Sequence, residues 1–353
     1  MLLELDADQR LWRDTARDVL AKECPASLVR RIAEAEPESA PESAPESAAD
    51  SGGDADAAMK LWKSFIDMGW TELTDPGETV ELGLLIEELG RASDPTPFLA
   101  TMTQFNPLAP EAVDPALAGA AVYEGVTAAR AGQGWVLTGT ASHVLDGDRA
   151  DRLAVVTPAG VFVVGAERVS ARRTSVFDPV LHVAEVTFDG VEVGYSDRVA
   201  APEDHVARGR DVALTGMALT MVGACQRILD LVLEHIGSRQ QFGVLIGSFQ
   251  AVQHKAADMH VAIERARALS YFAALTISAD DPRRRLAAAM AKASAGECQS
   301  LVFKHGIQLF GAMGFTWEND VQFALKRAKA GELMLGGAAE HRAFIAETSL
   351  TGA

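Results

Sequence analysis

Arg239-Gln-Gln-Phe-Gly243 is followed closely by Ser248-Phe-Gln-Ala-Val-Gln253, and later by Gln308-Leu-Phe-Gly-Ala-Met-Gly-Phe315. A guanidinium forms two parallel hydrogen bonds to phosphate oxygens, so Arg239 suits a diphosphate. From these five residues alone, a surface arginine capping a helix C-terminus is the favoured reading. Gln308 can both donate and accept, and Gly311 permits close approach of backbone to a ligand. A helix C-cap followed by a turn is the plainer reading of that second string. For proton chemistry the candidates are Asp211, which suits helix capping as well, Glu332, and His143, which reads first as a loop histidine.

The elements that must position these residues follow from periodicity. Residues 4–33 read as helix, with Leu11, Ala16, Val19, Leu20, Leu28 and Ile32 near helical spacing. The tetrapeptide Pro-Glu-Ser-Ala then occurs three times between Glu36 and Ala48, and an acidic Gly/Ala tract continues to about Ala58. With no aromatic or β-branched residue it has nothing to bury against chain entropy. An unstructured surface insertion over 36–58 is expected. Helical pattern resumes over Met59–Gly69 and Val80–Leu89, where Gly90 is placed to stop the helix. Short β-rich runs then fill about 120–199, among them Gly134–Gly139, Arg152–Val156, Gly160–Val164 and His182–Phe188. Beyond Glu203 four helices are expected, Val212–Ile236, Phe249–Ile277, Pro282–Phe310 and Val321–Met334. In the second of these, Phe249, Val252, Ala256, Met259, Ile263 and Ala266 make one apolar stripe.

The 353 residues suffice for two or three domains, and the 48% hydrophobic content suits a packed core. A net charge of -17 excludes the positive footprint of a nucleic-acid binder. Cys24, Cys225 and Cys298 are odd in number and far apart, which points away from a disulfide framework and toward a reducing cytoplasm. The N-terminus is charged from Glu4, unlike a signal peptide. The apolar run Val212–Cys225 is shorter than the roughly 20 residues that cross a bilayer, so a buried helix is expected and no membrane.

Helical, β, helical order with the two motif strings in sequence resembles the acyl-CoA dehydrogenase family, over most of the chain and most strongly over Arg239–Arg342. The resemblance implies a mainly α fold: an N-terminal helical domain (1–105), a β-barrel-like middle domain (106–202) and a C-terminal four-helix bundle (203–353). It implies FAD as cofactor, held by Arg239, Phe242, Gln308, Gly311 and Ala312, the last standing where the family usually has a second glycine. In such enzymes Arg and Phe of the first string reach into a neighbouring subunit's FAD.

The departures are selective. The position of the family's catalytic glutamate, which removes the α-proton of the acyl thioester, falls on Leu335, followed by Gly336. The alternative position used by some relatives falls on Ala213, and an arginine that binds the thioester ligand falls on Leu214. Leucine has no lone pair and cannot act as a base. The stretch that packs on the flavin ring falls near Ser142–Gly147 without its tryptophan or hydroxyl, and Tyr123-Glu-Gly125 is a remnant of the loop upstream. Elements lent to a neighbour's flavin survive, while those for the chain's own flavin ring, substrate and proton transfer are missing. That sorting resembles the non-catalytic subunit of heterotetrameric steroid-CoA acyl-CoA dehydrogenases, as does Gly314-Phe-Thr-Trp-Glu318. It implies a catalytic partner subunit in an α2β2 assembly, an acyl-CoA substrate and electron-transfer flavoprotein as acceptor. The competitors are a homotetramer using Asp211 or Glu332 as base, and a flavin-free scaffold that kept only the fold.

Overall fold

The computed structural model describes residues 4–35, 52–200 and 204–351. In chain order the helices are α1 (Ala7–Glu23), α2 (Ala26–Glu34), α3 (Gly52–Asp67), α4 (Thr79–Ala92), the short α5 (Phe98–Ala100) and α6 (Asn106–Leu108), then α7 (His205–Ser238), α8 (Gln250–Ser278), α9 (Arg284–Phe310), α10 (Val321–Leu333) and α11 (Ala338–Thr351). The strands are β1 (Gly119–Val122), β2 (Val126–Ala131), β3 (Gly134–Leu145), β4 (Arg152–Thr157), β5 (Gly160–Gly165), β6 (Ser170–Arg173), β7 (Val183–Val193), β8 (Gln240–Gln241) and β9 (Val244–Leu245). The chain forms two compact units: Met1–Arg30, Pro76–Asp94 and Leu214–Ala353 make one, and Arg31–Asp75 and Pro95–Ala213 the other.

The first unit is helical. Asp6 and Gln9 open α1 with a reciprocal cap, the Asp6 carboxylate accepting the Gln9 N–H at 2.8 Å. The single helix expected over 4–33 is two, because Pro25 has no N–H and forces Cys24 out of helical geometry (φ -124°, ψ 55°). Helices α7–α10 match the four expected, and α11, absent from the sequence reading, packs on α9. Met259, Ile263 and Ala266 of α8 are wholly buried against Ile228, Val232 and Val302. Phe249, expected to begin that stripe, instead lies outside the helix as its extended N-cap and is 39% exposed.

Gly90 does not end α4; the helix runs on to Ala92 and is capped by left-handed Ser93. The glycine serves a close crossing with α7. A Cβ on Gly90 would stand 2.3 Å from the Thr220 carbonyl oxygen, and one on Gly223 only 1.9 Å from that of Glu87. Buried charge ties the same elements together: the Glu87 carboxylate accepts from Arg267 at 2.9 Å and from the Tyr271 hydroxyl at 2.8 Å, and Glu88 pairs with Arg17 at 2.6 Å. α7 is long and apolar enough in composition to cross a membrane, but its apolar stretch is mostly buried within the protein, as expected of a core helix.

In the second unit, the insertion expected over 36–58 lies outside the described residues as far as residue 51. From Gly52 onward the expectation is corrected: the chain is helical, and Ala58 is buried. Alanine-rich sequence favours helix once a face can pack, and α3 packs through Trp62 and Phe65, which meets Trp70 in a stack at 4.8 Å. The β region forms two sheets, β1-β4-β5 with β1 parallel to β4, and the antiparallel β2-β3-β7-β6. Leu137, Leu153, Val155, Phe162 and Val186 fill the core that belongs to both sheets. Residues Thr101–Phe105 form a π-helical turn between α5 and α6. β1 runs beside it, with the Gly119 N–H donating to the Thr101 hydroxyl at 3.0 Å.

Candidate functional site

Arg239 leaves the end of α7 with its N–H bonded to the His235 carbonyl at 2.9 Å, and its own carbonyl accepts from Ile246 at 2.9 Å, closing the β8–β9 hairpin. Phe242 and Gly243 form that hairpin's two-residue loop with φ of 54° and 79°. Positive φ at both loop residues is the turn that matches strand twist, normally Asn-Gly or Gly-Gly. A phenylalanine there is strained by roughly 1–3 kcal/mol, and this one is 92% exposed, touching only Phe249 edge-on at 6.3 Å among aromatic rings. Val244 and Leu245 are also largely exposed. Strain and apolar exposure in one residue signal a surface meant to be covered.

At the end of α9, Gln308 is exposed on the last turn. Gly311 caps the helix at φ 63°, ψ -140°, a conformation open to glycine alone, and donates to the Gln308 and Ile307 carbonyls. The plain C-cap reading of Gly311 is therefore true of its backbone. Ala312 follows, exposed. The two motif strings converge because His235 stacks on Phe310 at 4.8 Å, joining the end of α7 to the end of α9. Burial, then the Arg239 charge, hold the His235 pKa below its ordinary value. Among the described residues the Arg239 guanidinium has no side-chain partner. An exposed, uncompensated guanidinium beside an unsupported aromatic ring and a Gly-turned backbone fits a diphosphate joined to ring systems.

The junction between α10 and α11 is the second place of interest. Leu335 and Gly336 are both left-handed, at φ 57° and 89°. The Leu335 carbonyl accepts from His341 Nε2 at 3.0 Å, and the Gly336 carbonyl from Lys292 Nζ at 2.7 Å. Glu332 Oε1 accepts the Ala338 N–H at 3.0 Å, so its carboxylate caps α11, and Oε2 lies against Gly296, where a Cβ would come within 2.0 Å. Glu332 thus faces the helix bundle. Burial lowers the Lys292 pKa to about 8, against the raising effect of the Glu332 and Glu340 charges. This lysine was missed in the sequence; the signal was a lone cation in the small-residue run Ala287–Gly296, most of it buried.

Ala213 and Leu214 are buried in α7 and offer no acceptor. The capping reading of Asp211 is corrected: α7 begins at His205, which leaves this buried aspartate well inside the helix. Ser142 and His143 are exposed at a bulge in β3, with His143 left-handed at φ 60°. The following turn is occupied by its own contacts, an ion pair of Arg149 with Asp146 and a hydrogen bond between His182 Nδ1 and Asp148 at 2.8 Å. Burial raises the Asp146 pKa, and the Arg149 and His182 charges oppose it.

Residues 212–350 match the family model described as acyl-CoA dehydrogenase, C-terminal domain. The chain is 31% identical over 262 residues to acyl-CoA dehydrogenase IpdE2 of Mycobacterium tuberculosis, covering 73% of this chain and 74% of that protein. The fold is similar to the ChsE4-ChsE5 complex from Mycobacterium tuberculosis (TM-score 0.84, 21% identity, 99% of both chains). It is also similar to the Tcur3481-Tcur3483 steroid ACAD (TM-score 0.81, 23% identity, 98% of both chains). A relative this similar over nearly three quarters of both sequences shows that the chain belongs to the acyl-CoA dehydrogenase family.

Proposed function

We propose that the chain is the subunit of a heteromeric acyl-CoA dehydrogenase that completes a partner's FAD site and leaves proton abstraction to the partner. The observation that carries this reading is Leu335. It stands where the family's base belongs, its carbonyl is held by His341, and the nearest carboxylate along the chain, Glu332, caps α11 through Oε1. FAD, when bound, accepts the hydride from the β-carbon of the thioester. Arg239 would hold its diphosphate, Phe242 would cover a ring face, and Gln308, Gly311 and Ala312 would meet the adenosine diphosphate part. The exposed Arg239 and the strained, exposed Phe242 support this assignment.

The relatives support the assembly. ChsE4-ChsE5 is a complex of two differently named chains, and the Tcur3481-Tcur3483 pair is a steroid enzyme. A bulky acyl-CoA such as a steroid side-chain thioester, an α2β2 stoichiometry, electron-transfer flavoprotein as acceptor and a cytoplasmic setting complete the reading. Three buried free thiols suit that setting.

The test is co-purification with the associated chain, followed by an absorbance scan for oxidised flavin and a panel of acyl-CoAs. The complex should hold one flavin per heterodimer and prefer bulky over short linear thioesters. The chain alone should be colourless and inactive. Stoichiometric FAD with turnover in a purified homomer would refute the split site, and a complex without flavin would leave the scaffold reading.

A further inference from the structure

The first unit holds a cavity of about 450 Å³ that shares no residue with the flavin surface or the α10–α11 junction. It opens among the end of α1, the start of α2, the end of α4, the middle of α7 and the start of α10. Three arginines and three acids line it, and all but two have partners. Arg17 pairs with Glu88 at 2.6 Å, Arg91 with Asp230 at 2.8 Å, and Asp320 with Arg30 at 2.5 Å. Asp18 stands exposed in solvent. Arg227, half-buried on α7, has neither an ion pair nor a hydrogen bond among the described residues. Asp18, Glu88 and Asp320 share the cavity with it but none bonds it, and a guanidinium part-way out of water with its N–H donors unmet gains from a hydrogen-bonding anion.

The rest of the wall restricts what that anion is. Pro25, Ala26 and Ala92 are half-buried and apolar, and Phe323 and Ala324 close the floor. The Phe323 ring already faces Arg30 at 5.3 Å, so it is not free to stack on a ligand ring. Glu88 and Asp320 in the wall oppose a dianion such as phosphate. One guanidinium fork matches one carboxylate in bidentate geometry. A pocket of this size with apolar walls and a single orienting charge is the usual form of a small-ligand site.

We propose that this cavity binds a short aliphatic monocarboxylate, its carboxylate on Arg227 and its chain against Pro25, Ala26 and Ala92. The site stands independently of the flavin reading, since neither Arg239 nor Leu335 takes part in it.

The experiment is calorimetric titration of the full chain, in whatever assembly it purifies, with hexanoate, hexanamide and inorganic phosphate. Hexanoate should bind saturably at one site per chain. Arg227→Gln should weaken it roughly ten- to a hundredfold, the loss expected for a charge-assisted hydrogen-bond pair. Ala26→Phe, which fills the apolar wall and keeps Arg227, should also abolish binding, with the melting temperature of each variant confirming that it folds. Absence of saturable hexanoate binding, equal binding by Arg227→Gln, or hexanamide binding as well as hexanoate would overturn the site. Phosphate competing as well as hexanoate would overturn the ligand class, because a bare anion hole makes no use of the apolar wall.

Discussion

Arg239 and Lys292 are both cations with no ion pair among the described residues, and they differ in every consequence. Arg239 is exposed and open to a phosphate. Replacing it with alanine should lower FAD retention by the complex roughly ten- to a hundredfold, since a charged hydrogen bond is worth about 1.5–3 kcal/mol. Flavin absorbance before and after dialysis measures it, and unchanged occupancy counts against the assignment. Lys292 is wholly buried, with a pKa lowered by burial from 10.5 to about 8. Between those values the unfolded chain binds more protons than the folded one, so stability rises with pH across that window. The buried charge therefore costs on the order of 3 kcal/mol at neutral pH. Wild type should gain about that much on Lys292→Met between pH 8 and 10.5 in urea unfolding. A difference that stays flat with pH would show that the lysine titrates normally.

Among the elements, the crossing of α4 and α7 bears the tightest constraint. Gly223→Ala sets a methyl group against the Glu87 carbonyl and should destabilise the fold by at least 1–3 kcal/mol, read as a lowered melting temperature. A melting temperature within a degree of wild type would mean the helices can part without cost. This crossing also marks where the sequence was hard to read. Gly90 looks like a helix stop in one dimension, and its purpose appears only when α7 lies across it. Helix α8 was legible because its buried residues repeat at three and four. Helix α11 was not, since its alanine-rich sequence carries no apolar stripe. Pro25 splits α1 from α2 although the apolar spacing runs on across it, so spacing alone reads one helix there. At the candidate site the motif strings were legible as residue types. Their convergence was not, because it depends on His235 meeting Phe310, a contact between residues far apart in the chain.

At the scale of the whole molecule, the chain keeps the family's fold and, in the reading proposed above, half of an active site. Leu335→Glu should therefore create no second active site. The junction is already held by Lys292 and His341, and by the resemblance the Ser142–Gly147 stretch lacks the family's flavin-ring residues. Activity and flavin content per heterodimer should stay at the wild-type level; doubling of either would show that a single residue had silenced the site.

The interleaving of the first unit also bears on how the protein is made. Helix α1 packs on α4, but the part of α7 and the helices after it that complete their unit run from Leu214 onward. On a ribosome adding about 5–20 residues per second, residues 1–30 leave the exit tunnel roughly 10–40 s ahead of those partners. The second unit, which ends at Ala213, is fully synthesised first. During that interval Leu20, Val29 and the apolar side of α4 have no finished core to enter. Nascent-chain holding factors, and the choice of expression temperature and host, should therefore govern the yield of this chain more than its final stability does.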